Sequence, residues 1–370
     1  RFSGVTGVQT CALPICKKFW PHVLDKNKFD PVDDQLAARM HKAIAIMQFK
    51  LEGQLIKEHP EFDLDKRLLL DKIDFENGTV NVEGTVYPLN DTFFPTIDPN
   101  NPYELTEDER AVMNSLSASI INSERLQTHI RYMFSHGALY KRINGNLLFH
   151  GCIPMDENGD FLPVDIYGAK CAGRALMDHL DKQIRASYFS PEKIKKYGKP
   201  GDLMWYLWLA KDSPLFGKEK MTTFERLFID DKASHKEHVR PYYKLINSKE
   251  PCEKILREFG LDPSHSKILN GHVPVKIKNG ESPIKGGGLL YVIDGGISKA
   301  YQKQTGIAGY TFIFNSRFMA LAEHKPYEPL KEDGTQKFFS PSMKTVDTLK
   351  TRMLVIDTDE GAELLRQAEA

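Results

Sequence analysis

Two short histidine motifs carry most of the chemistry legible in this chain, Phe149-His150-Gly151-Cys152-Ile153-Pro154 and Asn270-Gly271-His272-Val273-Pro274. Each follows an apolar run that reads as a buried strand, Asn146-Leu147-Leu148-Phe149 and Lys267-Ile268-Leu269. Gly and Pro residues then turn the chain. A histidine at the end of a buried strand is held rigidly with its ring toward a cleft, which is how α/β proteins place metal ligands. One such histidine alone is more often a packed core residue. Two motifs of the same form raise a second reading, a metal centre shared between strand ends. Neither motif has zinc-finger or HExxH spacing, so that centre must be assembled from distant segments. Packing remains the alternative.

The elements that would position these residues follow from periodicity. From Lys17 to about Lys57 the pattern is helical, with Ala43, Ile44, Met47, Leu51 and Leu55 at three- and four-residue steps and His41 a helix-surface or packing residue. Asn77-Gly78 reads as a two-residue turn joining Ile73–Glu76 to Thr79–Val82. Thr106-Glu107-Asp108-Glu109 is a capping box that opens a helix through Met113, Leu116 and Ile120. Residues 17–140 thus read as a mostly helical subdomain with one hairpin.

Residues 141–324 read as the core, where strand-like runs alternate with helices at Gly173–Arg185 and Pro251–Gly260. Gly288–Gly296, Gly309–Asn315 and Phe318–Glu323 are expected to form an antiparallel meander. In residues 325–370, the stretch Lys325–Leu349 reads as a polar surface tail and Asp359–Ala368 as a last helix.

Composition excludes more than it identifies. The 370 residues carry 50 Lys+Arg against 50 Asp+Glu, which gives no sign of a nucleic-acid binder. No apolar run approaches the ~20 residues that span a bilayer. Five irregularly spaced cysteines (Cys11, Cys16, Cys152, Cys171, Cys252) look like neither a disulfide framework nor a CxxC site, so the plain expectation is a reducing cytoplasm. The run Val5–Ile15 fits no targeting class and resembles a translated sequencing adapter. Residues 1–16 are therefore read as an artefact joined to a gene near Lys17, with a natural N-terminus as the alternative.

His150-Gly151-Cys152-Ile153-Pro154 resembles the His-Gly-Gly-Leu-Ser-Pro element of calcineurin-like metallophosphoesterases. Asp202-Leu203-Met204-Trp205 with Asp212-Ser213-Pro214 resembles their Asp-Leu-Leu-Trp-Ser-Asp-Pro run. Gly271-His272 resembles the element supplying the last metal-binding histidine, and Ile293-Asp294-Gly295-Gly296 the strand after it. From Lys42 to Arg366 the chain is most similar to the class III fructose-1,6-bisphosphatases of Firmicutes-type bacteria. The runs Ile46–Gly53, Gly145–Gly151, Met221–Arg226 and Gly306–Tyr310 carry that likeness.

The resemblance implies an α/β (α+β) fold, the C-terminal half of a calcineurin-like two-sheet sandwich flanked by helices, beside the helical subdomain. It implies hydrolysis of fructose 1,6-bisphosphate at two divalent ions, manganese by preference, about 3.5–4 Å apart. His150 and His272 would be ligands. Lys299 and Tyr301, just past Gly295-Gly296, could reach a sugar phosphate, although such loop residues more often face solvent.

The family's Asp-x-His, Gly-Asp-x-x-Asp-Arg-Gly and Gly-Asn-His-Asp motifs do not occur here, and Gly271-His272-Val273-Pro274 lacks the second histidine of Gly-His-x-His. On that ground the chain is expected to be part of a longer protein and inactive by itself. The partner expected is a small sugar bisphosphate, with no nucleic acid and no membrane, and the oligomeric state stays open. Competing readings are a calcineurin-like phosphoesterase acting on phosphoproteins or dinucleoside polyphosphates, and a non-catalytic remnant of the fold. Cys152, Trp205 and Trp208 read as packing residues, and His235, His238 and the basic stretch Lys193–Lys199 as solvated surface.

Overall fold

The computed structural model describes residues 34–190, 201–296, 305–306, 309–325 and 342–370. Residues 1–16, the expected helical stretch before Asp34 and the basic stretch Lys193–Lys199 lie outside the described residues. The chain is a mixed α/β protein with two compact units. One comprises Arg1–Gly137, Ser187–Ala210 and Lys218–His238, and the other Ala138–Ala186, Lys211–Gly217 and Val239–Ala370. No helix among the described residues is long and apolar enough to cross a membrane.

The first unit is organised by the helix Asp34–Glu58. Its buried face holds Ala43, Ile46, Met47 and Phe49, whereas Ile44 is exposed and Leu51 only partly buried, so the apolar stripe is rotated from the one read in sequence. The reason is a charge at the centre of that face. Lys50, fully buried, donates to Glu109 Oε2 at 2.7 Å and to the Thr96 carbonyl at 2.5 Å. Glu109 Oε2 also accepts the Thr106 backbone N–H at 2.8 Å, so the capping box of helix Glu107–Ile121 doubles as the anchor for Lys50. A second buried pair joins Lys42 to Asp91 at 2.6 Å, and Arg67 meets Glu52 at the same distance. Gly53 lies against Tyr103 so closely that an added Cβ would stand 1.9 Å from its ring. Helix propensity is given up there, at a cost of about 1 kcal/mol, for close packing.

A three-stranded antiparallel sheet completes this unit: β1 (Ile73–Asp74), β2 (Thr79–Val82) and β3 (Thr85–Pro88). The β1–β2 loop takes four residues rather than two. Asp74 Oδ1 accepts the Glu76 and Asn77 N–H groups at 3.0 and 2.9 Å, and that local bonding sets the turn. β3 was not anticipated, although Glu83-Gly84, with φ of 49° and 89°, is the left-handed pair a tight hairpin requires. Phe224 and Phe228 of helix Thr223–Phe228 pack into the same core as Phe49 and Phe94. Trp208 is 44% exposed, and Leu203, Tyr206, Leu207 and Leu209 anchor helix Leu203–Leu209 in its stead.

The second unit is built on a five-stranded sheet. β4 (Tyr140–Ile143) and β5 (Asn146–Phe149) form a hairpin. β6 (Val164–Ile166) and β7 (Ala169–Cys171) pair with each other, apart from that sheet. β8 (Ile268–Asn270) lies parallel to β5, and β9 (Ile284–Lys285) and β10 (Leu290–Val292) complete the order β4-β5-β8-β10-β9. β10 therefore runs parallel beside β8 and is not the first strand of a meander. Its three residues are all buried, the mark of a central parallel strand covered on both faces.

The meander is instead β11 (Gly309–Phe314), β12 (Phe318–His324) and β13 (Ser342–Thr348), the last drawn from the stretch read as a polar surface tail. A polar sequence suits it because β13 is an edge strand. Tyr291 of β10 packs on Phe312 of β11, and Lys267 pairs with Asp347 of β13 at 2.7 Å. Helices Gly173–Phe189, Lys249–Glu258 and Asp359–Glu369 fall where periodicity placed them.

Two outcomes test the first unit. Breaking the fully buried Lys50–Glu109 pair with Glu109→Ala should cost about 3–5 kcal/mol in urea denaturation, because a buried ammonium loses its counter-charge. Joint replacement with Lys50→Met and Glu109→Leu should recover most of that loss. His59, buried, has Nδ1 2.9 Å from Glu61 and Nε2 3.0 Å from Asp202. Burial acts to lower its pKa, but the bonds and charges of the two carboxylates outweigh it and hold the pKa above the ordinary 6.5. A raised folded pKa stabilises fully below about pH 6.5 and loses that contribution as pH rises through the folded value. The Tm difference between the protein and His59→Gln should therefore be largest near pH 6 and shrink toward pH 8 and above.

Candidate metal centre at the parallel strand ends

β5 and β8 pair in parallel with Leu147 opposite Ile268 and Leu148 opposite Leu269. Continuing that register sets His150 beside Gly271, and the Gly271 N–H donates to the His150 carbonyl at 2.8 Å. At the other end Asn146 Oδ1 accepts the Lys267 N–H at 3.0 Å, so both ends of the pairing are pinned. His150 and His272, 122 positions apart, thereby meet: His150 Nε2 lies 3.1 Å from His272 Nδ1, with ring planes inclined at 62°.

The two turns hold their rings by different means. The Val273 N–H donates to the Gly271 carbonyl at 2.8 Å across His272, whose φ is +66°, so His272 sits at the apex of a tight γ-turn. A non-glycine residue in that region carries strain of about 1–3 kcal/mol, the kind a functional site retains. After His150, the Cys152 N–H donates to the Pro214 carbonyl at 2.9 Å, and a Cβ on Gly151 would stand 2.6 Å from that same oxygen. Cys152 is buried and its thiol is pushed up to about 12 by desolvation, so it packs and does not react at neutral pH.

Crowding by neighbouring protein atoms lowers the His150 pKa, and the charge of Asp294 opposes that shift. Asp294 follows β10, whose Val292 pairs with Asn270, so a third strand end reaches the same edge. Its Oδ1 accepts the Gly296 N–H at 2.7 Å. Asn270 spans the two histidine turns, its Nδ2 lying 3.0 Å from the Gly151 carbonyl and 2.9 Å from Tyr242 Oη. Neither Asp294 nor Asn270 was picked out as a site residue from sequence. The signal was a polar residue closing an all-apolar strand, legible only once the strands are known to be parallel neighbours.

The remaining candidates are not brought to this edge. Lys299 and Tyr301 lie outside the described residues. His41 and His238 are exposed, whereas His235 is partly buried with Nε2 2.8 Å from the Ile229 carbonyl, a packing role and not a purely solvated one. Asp212 pairs with Arg240 at 2.9 Å, and Ser213 is fully buried.

Two imidazole nitrogens each about 2.1 Å from one cation stand about 3 Å apart when they are adjacent ligands. The donor pair His150 Nε2 and His272 Nδ1 fits that spacing. Among the described residues no group of three or more His, Cys, Asp or Glu is placed to hold a metal, so this chain offers two imidazole positions with a carboxylate nearby.

The arrangement defines a mixed α/β protein with its candidate site at the C-terminal edge of parallel strands. A profile of the Firmicute fructose-1,6-bisphosphatase family matches residues 10–370, and the chain belongs to that family. It is 52% identical over 356 residues to a fructose-1,6-bisphosphatase class 3 of Clostridium tetani, a match that covers 95% of this chain and 53% of the relative. Similar proteins of the same name from Clostridium botulinum and Clostridium acetobutylicum are 49% and 50% identical, with the same coverage. The chain thus spans about half the length of the curated relatives it matches. No solved structure matches it.

The close approach at Gly151 is directly testable. Gly151→Ala should displace the Pro214 carbonyl and destabilise the second unit by about 1–3 kcal/mol, the cost of overpacking. Chemical denaturation followed by far-UV circular dichroism would measure it, and a variant as stable as the parent would contradict the packing described.

Proposed function

We propose that the protein is a metal-dependent phosphoric monoester hydrolase that converts fructose 1,6-bisphosphate to fructose 6-phosphate and phosphate, as part of gluconeogenesis. The observation that carries this reading is identity of 49–52% to class 3 fructose-1,6-bisphosphatases across 95% of the chain. The histidine pair, 3.1 Å apart, supports it. So does a five-stranded sheet packed through Tyr291 and Phe312 against a three-stranded one, as one half of a calcineurin-like sandwich would be.

Family membership implies a divalent metal, and manganese is the ion we propose, since sites mixing imidazole and carboxylate accept it. When bound, divalent ions supply a water acidic enough to attack phosphorus and neutralise the phosphate oxygens. The residues of this chain have narrower tasks. His150 Nε2 and His272 Nδ1 each present a lone pair from a neutral imidazole. The γ-turn at His272 and the Gly151 contact fix where those lone pairs point. Lys299 and Tyr301 are proposed to contact the sugar phosphate, and the cytoplasm is the proposed location, in keeping with free Cys152, Cys171 and Cys252.

The test is phosphate release by the whole protein with Mn²⁺. Fructose 1,6-bisphosphate should be hydrolysed and phosphopeptides should not. His150→Ala and His272→Ala should each lower kcat/KM by about 100-fold or more, that is about 2.7 kcal/mol of transition-state stabilisation. Full activity in either variant would remove that histidine from the site.

A further inference from the structure

We infer that Asn270 is a positioning residue for the histidine pair, a side-chain brace that sets the distance between His150 and His272 and thereby the affinity for the divalent ion. The inference rests on the metal-site reading above.

Asn270 is only 2% exposed and closes β8 immediately before Gly271-His272. Its amide nitrogen lies 3.0 Å from the Gly151 carbonyl, one residue beyond His150, and 2.9 Å from Tyr242 Oη. The Gly151 carbonyl can only accept, so the NH₂ end of the amide must face it. That orientation leaves Oδ1 buried with no donor among the described residues. A buried acceptor left unfilled calls for a reason. Here the reason is geometric, because turning the amide to satisfy Oδ1 would release the Gly151 carbonyl.

The main chain of Asn270 ties in the third strand end as well, its carbonyl accepting the Ile293 N–H at 2.9 Å. One residue therefore connects the β5, β8 and β10 ends, and it is covalently continuous with one histidine turn and hydrogen-bonded to the other. Tyr242, fully buried beside Phe149 and Tyr243, gives the amide a second fixed anchor. Groups that orient metal ligands in this way typically change affinity by about 10–100-fold when removed.

The experiment is titration of the whole protein with Mn²⁺, free ion being read by electron paramagnetic resonance, with Tm recorded for each variant. Asn270→Asp keeps the shape, removes the donor and sets two acceptors face to face, and Asn270→Ala removes the brace. Both should weaken Mn²⁺ binding by about 10–100-fold while Tm stays within a few degrees. Binding within twofold of the parent in a folded variant would overturn the brace. Should both variants lose their fold, Tyr242→Phe removes one of the two anchors and should weaken binding about fivefold, and unchanged binding would overturn the brace equally. His272→Ala separates the two readings. If it leaves Mn²⁺ binding intact, the metal-site assignment falls, whereas weakened binding in His272→Ala with normal binding in the Asn270 variants removes the brace alone.

Discussion

The parallel pairing of β5 with β8 is the constraint on which the rest of the candidate site depends. Side chains alternate across a strand, so a register slip of one residue would turn His150 away from His272 and bury it. The pairing resists such a slip at both ends, through Asn146 at one and the Gly271 N–H at the other. Between them Leu147, Ile268 and Leu290 are fully buried, and because their neighbours Leu148, Leu269 and Tyr291 are apolar as well, it is these polar contacts at the ends that fix the register. A distance of 3.1 Å between rings so far apart in sequence is a property of the sheet, and the loops that carry the histidines inherit it.

The first unit relies on a different economy. Its helix Asp34–Glu58 sends Lys42, Lys50 and Glu52 into ion pairs with almost no exposure, where an apolar stripe would have sufficed for burial. Pairs of this kind add little net stability, since desolvation offsets most of the attraction. They do impose a single arrangement. Lys50 has one carboxylate and one carbonyl within reach, and the carboxylate is itself fixed by the capping box at Thr106. The helix can neither slide nor rotate on its sheet without uncovering a charge.

How much of this was legible in the sequence depends on how local its cause was. The capping box at Thr106 and the helices opening near Gly173, Lys249 and Asp359 are set by neighbours in the chain, and they were read correctly. The two histidine motifs were recognisable because strand, histidine and turn are contiguous. β10 was assigned to the wrong sheet because a short apolar run does not state which strand it pairs with. β13 was overlooked for the opposite reason, since an edge strand can be polar on both faces. The stripe on the first helix was misplaced by one position, at Ile44, because a buried lysine looks like a surface residue until its partner 59 positions away is known. Asn270 and Asp294 became visible beside the candidate site only through parallel neighbours that sequence spacing does not reveal.

The γ-turn at His272 also constrains the family's history. Left-handed backbone is open chiefly to glycine, and among the other residues asparagine, aspartate and histidine enter it more readily than most. An imidazole at this position thus accepts a backbone conformation that only glycine adopts without strain. In a lineage released from selection for the imidazole, drift would carry the position first to Gly, Asn or Asp, which the turn admits, and not to the valine or isoleucine that ordinarily follow a buried strand. A relative with asparagine after the glycine would keep this backbone turn while lacking the imidazole proposed here as a ligand.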